Sequence, residues 1–254
     1  MMQLLIGMFV AGQLMSAIDP IIVEPSQWSH YEVYRAPSCM KIDGVLSDKE
    51  WGKTPAAVGF SDVFKPERAV KQPTAAKIMW DDKYLYIAFE CADSDIWGTY
   101  TKRDDIIYME EAVETFIDPE GKGRYYWEVD LSPRNIAVDL MIPYSGWQGA
   151  SDKLINYDVR GLLTGVKVYG TLDNRQDKDE KWTVEIAIPW ADFAGRKVNV
   201  PPKDGDSWRL NLFRIDRPGP ESAEDQYMSW SKSPGVFHQT KNFGVVTFHN
   251  RIAK

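Results

Sequence analysis

Glu114 and Glu128 are the residues best placed to do chemistry. Each stands in an alternating run, VETFID and YYWEVD, on the strand face opposite the more apolar set. Two such carboxyls could act as general acid and general base on a glycosidic bond. They could equally serve as hydrogen-bond acceptors for a ligand, or be solvated sheet residues. Nucleophilic catalysis has no support. His30, His238 and His249 are far apart in the chain and have no Cys or Ser neighbour that suggests a dyad. GxSxG, HExxH, GxxxxGK[ST] and a strand-following GxGxxG are all absent.

Carboxylates in loops open a second chemistry. Asp93, Asp95, Asp104, Asp105 and Asp118 could hold a structural Ca²⁺, although none matches the DxDxDG loop of an EF-hand and the sequence names no ligand set. A third chemistry comes from aromatic rings among polar groups. DIWGTYTKRDDIIYMEE places Trp97, Tyr100 and Tyr108 among Arg103, Asp104, Asp105, Glu110 and Glu111, and SWSKSPGVFHQTKNFG places Phe237 and His238 at a loop tip. Rings that stack on flat C–H faces, rimmed by groups that bond hydroxyls, are what a sugar site requires.

The elements that must position these residues are strands. Period-two alternation runs through YLYIAFEC (84–91), YYWEVDL (125–131), IAVDLMI (136–142), VKVYGTL (166–172), WTVEIAIP (182–189), WRLNLFRI (208–215) and FGVVTF (243–248). Asp- and Gly-rich turns separate them. In YLYIAFEC, Leu85, Ile87, Phe89 and Cys91 share the face expected to lie in the core. Helix is confined to LSDKEW (46–51), with Ser47 as N-cap, and a turn at WADF. The pattern predicts an all-β protein, an antiparallel β-sandwich with few short helical turns, ahead of a barrel. Trp51, Trp80, Trp182, Trp190 and Trp208 fall in element patterns and are expected in the core, while Trp147 falls in a loop.

The 254-residue chain is 44% hydrophobic and carries a net charge of -7, with scattered basic residues. That balance excludes nucleic acid and anionic membranes as main partners. Residues 1–17 read as a signal peptide, with an apolar stretch at Leu4–Val10 and small residues at Ser16 and Ala17, too short to span a bilayer. This predicts a secreted, periplasmic or cell-surface protein, with a flexible lead-in at 18–30 and a single domain at 31–254. Cys39 and Cys91 could be bridged or could be two buried thiols. The sequence sets no oligomeric state.

Six segments in order carry a resemblance: KIDGVLSDKEW, WDDKYLYIAFECAD, EEAVETFIDPEGKGRYYWEVDLSP, WTVEIAIPW, WRLNLFRID and MSWSKSPGVFHQTKNFG. Together they resemble carbohydrate-binding module family 9 and its wider set of family 9-like secreted proteins. The resemblance implies a DOMON-like β-sandwich, often calcium-containing, without hydrolytic activity. It also implies a sugar clamped between two rings at the positions of Tyr108 and Phe237, where family members carry Trp. Glu114 keeps the acid of VExFID, whereas a binding arginine and asparagine fall at Glu128 and Asp130. The expectation is therefore a non-catalytic exported carbohydrate-binding protein, with Tyr108 and Phe237 as platforms and Glu114, Glu128, Asp130, Arg103, Trp97 and His238 around them. Two alternatives stand beside it: a glycan-processing enzyme using Glu114 and Glu128, and a haem-binding DOMON-like domain drawing on Met109, Met141, Met228 or His238.

Overall fold

The computed structural model describes residues 24–36, 40–46, 49–146, 157–218 and 224–254. The signal-like segment, Cys39, Ser47 and Trp147 lie outside the described residues. Twelve strands follow in chain order: β1 (His30–Arg35), β2 (Ser61–Asp62), β3 (Thr74–Trp80), β4 (Tyr84–Ala92), β5 (Ala112–Asp118), β6 (Tyr126–Leu131), β7 (Ala137–Ile142), β8 (Leu163–Tyr169), β9 (Lys181–Pro189), β10 (Ser207–Asp216), β11 (Gln226–Ser229) and β12 (Gly244–Phe248). Helical structure among the described residues is limited to α1 (Lys49–Lys53) and short 3-10 turns, including Ile107–Met109 and the expected Trp190–Phe193.

The strands are ordered β7-β6-β5-β10-β12-β1-β3-β4-β9-β8, with β11 on β10 and β2 on β11. Strand β1 joins the two halves. His30–Val33 pair with Val245–Phe248 of β12, and Tyr34–Arg35 then pair with Met79–Trp80 of β3. Both pairings are parallel, so the sheet is mixed and the expectation of a purely antiparallel one is corrected. Alternation dictates which side chains share a face; it does not encode the direction of the neighbouring strand.

The main core draws on both halves. Leu85, Ile87, Phe89, Trp182, Val184 and Ile186 come from β4 and β9, and Val113, Ile117, Trp127, Val129, Leu210 and Leu212 from β5, β6 and β10. Each large apolar side chain buried in this way contributes about 1.5–3 kcal/mol. The five tryptophans expected inside are all buried. Strand β4 departs from the one-sided expectation, because Tyr86 and Ala88 on its other face are also covered, by Met40 and Trp51. That cover is held by Glu185, which accepts from Trp51 Nε1 (2.8 Å), Asp43 N (2.9 Å) and Gly44 N (2.8 Å). Gly44 has φ +82°, and a Cβ there would stand 2.4 Å from the Val166 carbonyl carbon, so the turn admits only glycine. Cys91 is a buried free thiol.

The end of the expected flexible lead-in is anchored. Ser29 Oγ donates to Trp230 O (3.0 Å), and the Arg209 guanidinium lies 3.6 Å from the Trp28 ring centroid. His30 already pairs in β1.

Candidate functional site

Strand parity builds the site. In β6, Trp127, Val129 and Leu131 enter the main core, so Tyr126, Glu128 and Asp130 take the opposite face. In β5, Val113 and Ile117 enter the core and Glu114 and Phe116 take the opposite face. The register sets Glu114 beside Asp130 and Phe213, and Phe116 beside Glu128. This outer face is largely aromatic, with Phe116, Tyr126, Phe213 and Phe243 packed together. Glu114, Glu128 and Asp130 form a trio within it, their carboxylate oxygens within 4.8 Å of one another.

Two loop rings flank the trio, and both are half-buried. Tyr108 sits on the Ile107–Met109 turn, with its hydroxyl in the electrostatic reach of all three acids. Phe237 stacks on Phe213 at 4.4 Å and 12°, directly beside the Glu114 position. Its ring also lies 6.4 Å from Phe64 at 20°. Tyr108 and Phe237 therefore each lie beside the trio. Phe237 already commits one face to Phe213, however, which leaves the other for Phe64 or a ligand.

The trio carries almost no exposed surface (Glu114 3%, Glu128 5%, Asp130 0%). Burial pushes all three carboxyls up: Glu128 to about 8, and Glu114 and Asp130 well above the usual range. Mutual repulsion raises Glu114 and Asp130 further, while a hydrogen bond with Asp130 partly offsets the rise at Glu128. Burial and mutual repulsion therefore favour the neutral form of these carboxyls. The Tyr108 hydroxyl is raised by burial and then by the field of Glu128 and Asp130. His238 shares a 2.8 Å hydrogen bond with the Tyr126 hydroxyl through Nδ1 and stacks on Phe116 at 5.0 Å. Burial pushes His238 down to about 4, so it stays neutral 3.9 Å from Glu128 Oε2.

The other predicted residues are placed differently. Arg103 is ion-paired with Asp139 and, at 2.8 Å, with Asp158. Asp139 lies on the β7 face shared with Ala137, away from the face of Leu140, so Arg103 is not brought to the trio. Trp97 is buried and donates from Nε1 to Arg217 O at 2.6 Å. Arg217 in turn donates to Tyr108 O (3.3 Å), bonds Asp225 (2.6 Å) and lies over the Tyr227 ring at 5.2 Å. Trp97 therefore supports the loop that carries Tyr108 and does not line the face. Arg217 was missed because the two partners that tie it to the site, Trp97 and Tyr108, are distant in sequence. Phe64, 54% exposed beside Phe237 and Tyr227, was also missed. Its signal was the one used for Trp97, an aromatic in a polar loop, VFKPER.

Residues 42–251 match the family described as "Carbohydrate family 9 binding domain-like". The chain belongs to this family. Among curated relatives, the family 9 domain is 31% identical over 240 residues to "Exoglucanase XynX" of Acetivibrio thermocellus, covering 90% of this chain and 19% of that protein. It is 25% identical over 201 residues to an "Extracellular protein" of Arthroderma benhamiae, covering 76% of this chain and 86% of that one. The chain thus spans about a fifth of the exoglucanase and most of the extracellular protein. Two solved structures share the fold at 16% identity. A putative carbohydrate-binding protein from Bacteroides uniformis has a TM-score of 0.62, covering 87% of this chain and 99% of that chain. A family 9 module from Caldicellulosiruptor kristjanssonii in complex with cellotriose has a TM-score of 0.59, covering 88% and 95%.

The family 9 domain holds a second buried acid group, on the core side. Asp93, Glu111 and Asp216 surround the fully buried Arg214, which bonds Asp93 at 2.8 Å and Asp216 at 3.1 Å. Both Glu111 oxygens lack a hydrogen-bond donor among the described residues, and burial holds its carboxyl well above the usual range. Of the other acids considered for a metal, Asp105 accepts from Thr101 N and Lys102 N, and Asp118 accepts from Gly123 N. Both shape turns. Asp95 pairs with Arg175 at 2.9 Å.

Proposed function

We propose that this family 9 domain is a non-catalytic carbohydrate-binding protein. The saccharide lies over the outer face of β5, β6 and β10, between Tyr108 and Phe237, with Phe64 extending the aromatic side. Glu114, Glu128 and Asp130 bond its hydroxyls. The observation that carries this reading is two half-buried rings from distant loops flanking buried carboxyl oxygens that, apart from one another, meet no donor among the described residues. The complex of a family 9 module with cellotriose supports the ligand class.

Turnover by Glu114 and Glu128 is disfavoured, because a glycosidase needs one carboxyl ionised and one protonated, and here burial drives both the same way. Haem is disfavoured too. Met228 lies in the main core, and the Met141 sulfur accepts from Arg196 at 3.3 Å, so neither is set against His238. The two halves around one core fit a sandwich architecture. The signal-like residues 1–17 and a relative named as extracellular support export. A structural Ca²⁺ fits best at Asp93, Glu111 and Asp216, where three carboxyls face the single charge of Arg214 and Glu111 has free acceptor oxygens. Its addition would raise the melting temperature, and a chelator would reverse the rise.

Titration calorimetry against a panel of soluble glycans tests the binding. Affinity on the order of micromolar to millimolar is expected, since stacking on one sugar contributes little. Tyr108→Ala and Phe237→Ala should each weaken it about tenfold or more. Unchanged affinity in both would remove the clamp.

A further inference from the structure

The carboxyl trio is short of donors and of positive charge. Asp130 Oδ1, Asp130 Oδ2 and Glu128 Oε2 are buried, and apart from the hydrogen bond between these two carboxyls no donor among the described residues reaches them. Among the described residues no Lys or Arg is ion-paired with Glu114, Glu128 or Asp130; the one basic ring beside them is His238. The nearby candidates are committed or neutral. Arg103 is held by Asp139 and Asp158, Arg217 by Asp225, and the His238 ring is uncharged at its 3.9 Å distance. A buried acid cluster in this condition must keep protons or receive a cation from outside.

The flanking groups indicate what kind of cation fits. Tyr108 lies close enough to feel the field of all three acids, and Phe213, Phe237 and Phe116 form the adjoining aromatic wall. We infer, on the carbohydrate-binding reading above, that this site selects saccharides bearing a free amine, de-N-acetylated hexosamine units, over neutral sugars. An ammonium group carries three N–H donors and no acceptor, one for each carboxyl of the trio, and the ring faces beside it add cation–π attraction. A neutral hydroxyl brings one donor, and its own lone pairs then face further carboxyl oxygens. N-acetylation removes the charge and leaves a single N–H.

The experiment compares three β-1,4-linked tetramers of similar shape by calorimetry on the whole chain: the glucosamine tetramer, its N-acetylated counterpart and cellotetraose. Salt is raised to about 0.3 M to screen the net charge of -7. The glucosamine tetramer is expected to bind at least about tenfold tighter than either neutral tetramer, and Glu128→Gln or Asp130→Asn should bring that ratio down to about twofold. Thermal melts establish that the variants are folded, and the wild-type comparison decides the matter even if they are not. Cellotetraose binding as tightly as the amine would overturn the inference and leave the carbohydrate reading standing. A preference that survives in folded Glu128→Gln and Asp130→Asn proteins would also overturn it, as would a preference that appears only with added Ca²⁺. Failure of all three tetramers to bind would remove the underlying reading as well.

Discussion

The two buried acid clusters have the same composition class and opposite provisions. Asp93, Glu111 and Asp216 enclose a guanidinium that satisfies two of them from within the core. Glu114, Glu128 and Asp130 lie on the outer face beside loop rings, with no Lys or Arg ion-paired to them among the described residues. The first cluster holds a counter-charge of the protein's own, with the Glu111 oxygens left over for the Ca²⁺ proposed above; the second holds none among the described residues. Buried charge of the first kind specifies structure, whereas the second kind costs stability and is retained where a ligand repays it.

The largest expected effect falls on the first cluster. Arg214→Met leaves three carboxyls facing one another without a counter-charge and should destabilise the domain by about 3–5 kcal/mol, read from urea unfolding. A loss below about 1 kcal/mol would mean that the acids are already neutral and that the contrast is false. Next comes Phe64→Ala. It should weaken saccharide binding a few-fold, less than Tyr108→Ala, since Phe64 touches the site through Phe237. Equal losses would place Phe64 within the clamp itself.

The smallest effect is a pH dependence. Folded Glu128 keeps its proton to about pH 8, while an unfolded glutamate releases it near ~4.3. Between those limits the native state holds more protons than the unfolded state, so this contribution to stability falls as pH rises. His238 acts in the opposite sense. Held neutral in the fold, it favours the native state above its unfolded value of ~6.5, and that advantage is lost as pH falls toward about 4. The window from 6.5 to 8 therefore isolates the acids. Across it, wild type should lose on the order of 1 kcal/mol more than Glu128→Gln, about 2–4 °C in melting temperature. Parallel curves for the two proteins would show that Glu128 is ionised in the fold.

Much of this was legible in the chain. YYWEVDL declares by alternation that Glu128 and Asp130 share a face opposite Trp127 and Val129, and the structure keeps that division. Tyr108 and Phe237 stood out as rings in segments too polar for a core. What alternation cannot encode is the identity of distant neighbours. The parallel seating of β1 between β12 and β3, the capture of Arg103 by Asp139, and the chain from Trp97 through Arg217 to Tyr108 all depend on contacts made only after folding. Each residue in them has a side chain that many partners could satisfy, so local pattern leaves the choice open.

The parallel run of β1 along β12 also bears on mechanics. If a load pulled the start of β1 and the finish of β12 in opposite directions, the strands would slide past each other and not peel apart. The evenly spaced rungs between His30 and Phe248 would share that load together. Strand β1 is further gripped by β3 at its far end. Tension applied along these two strands would thus load the seam in shear across all its rungs at once.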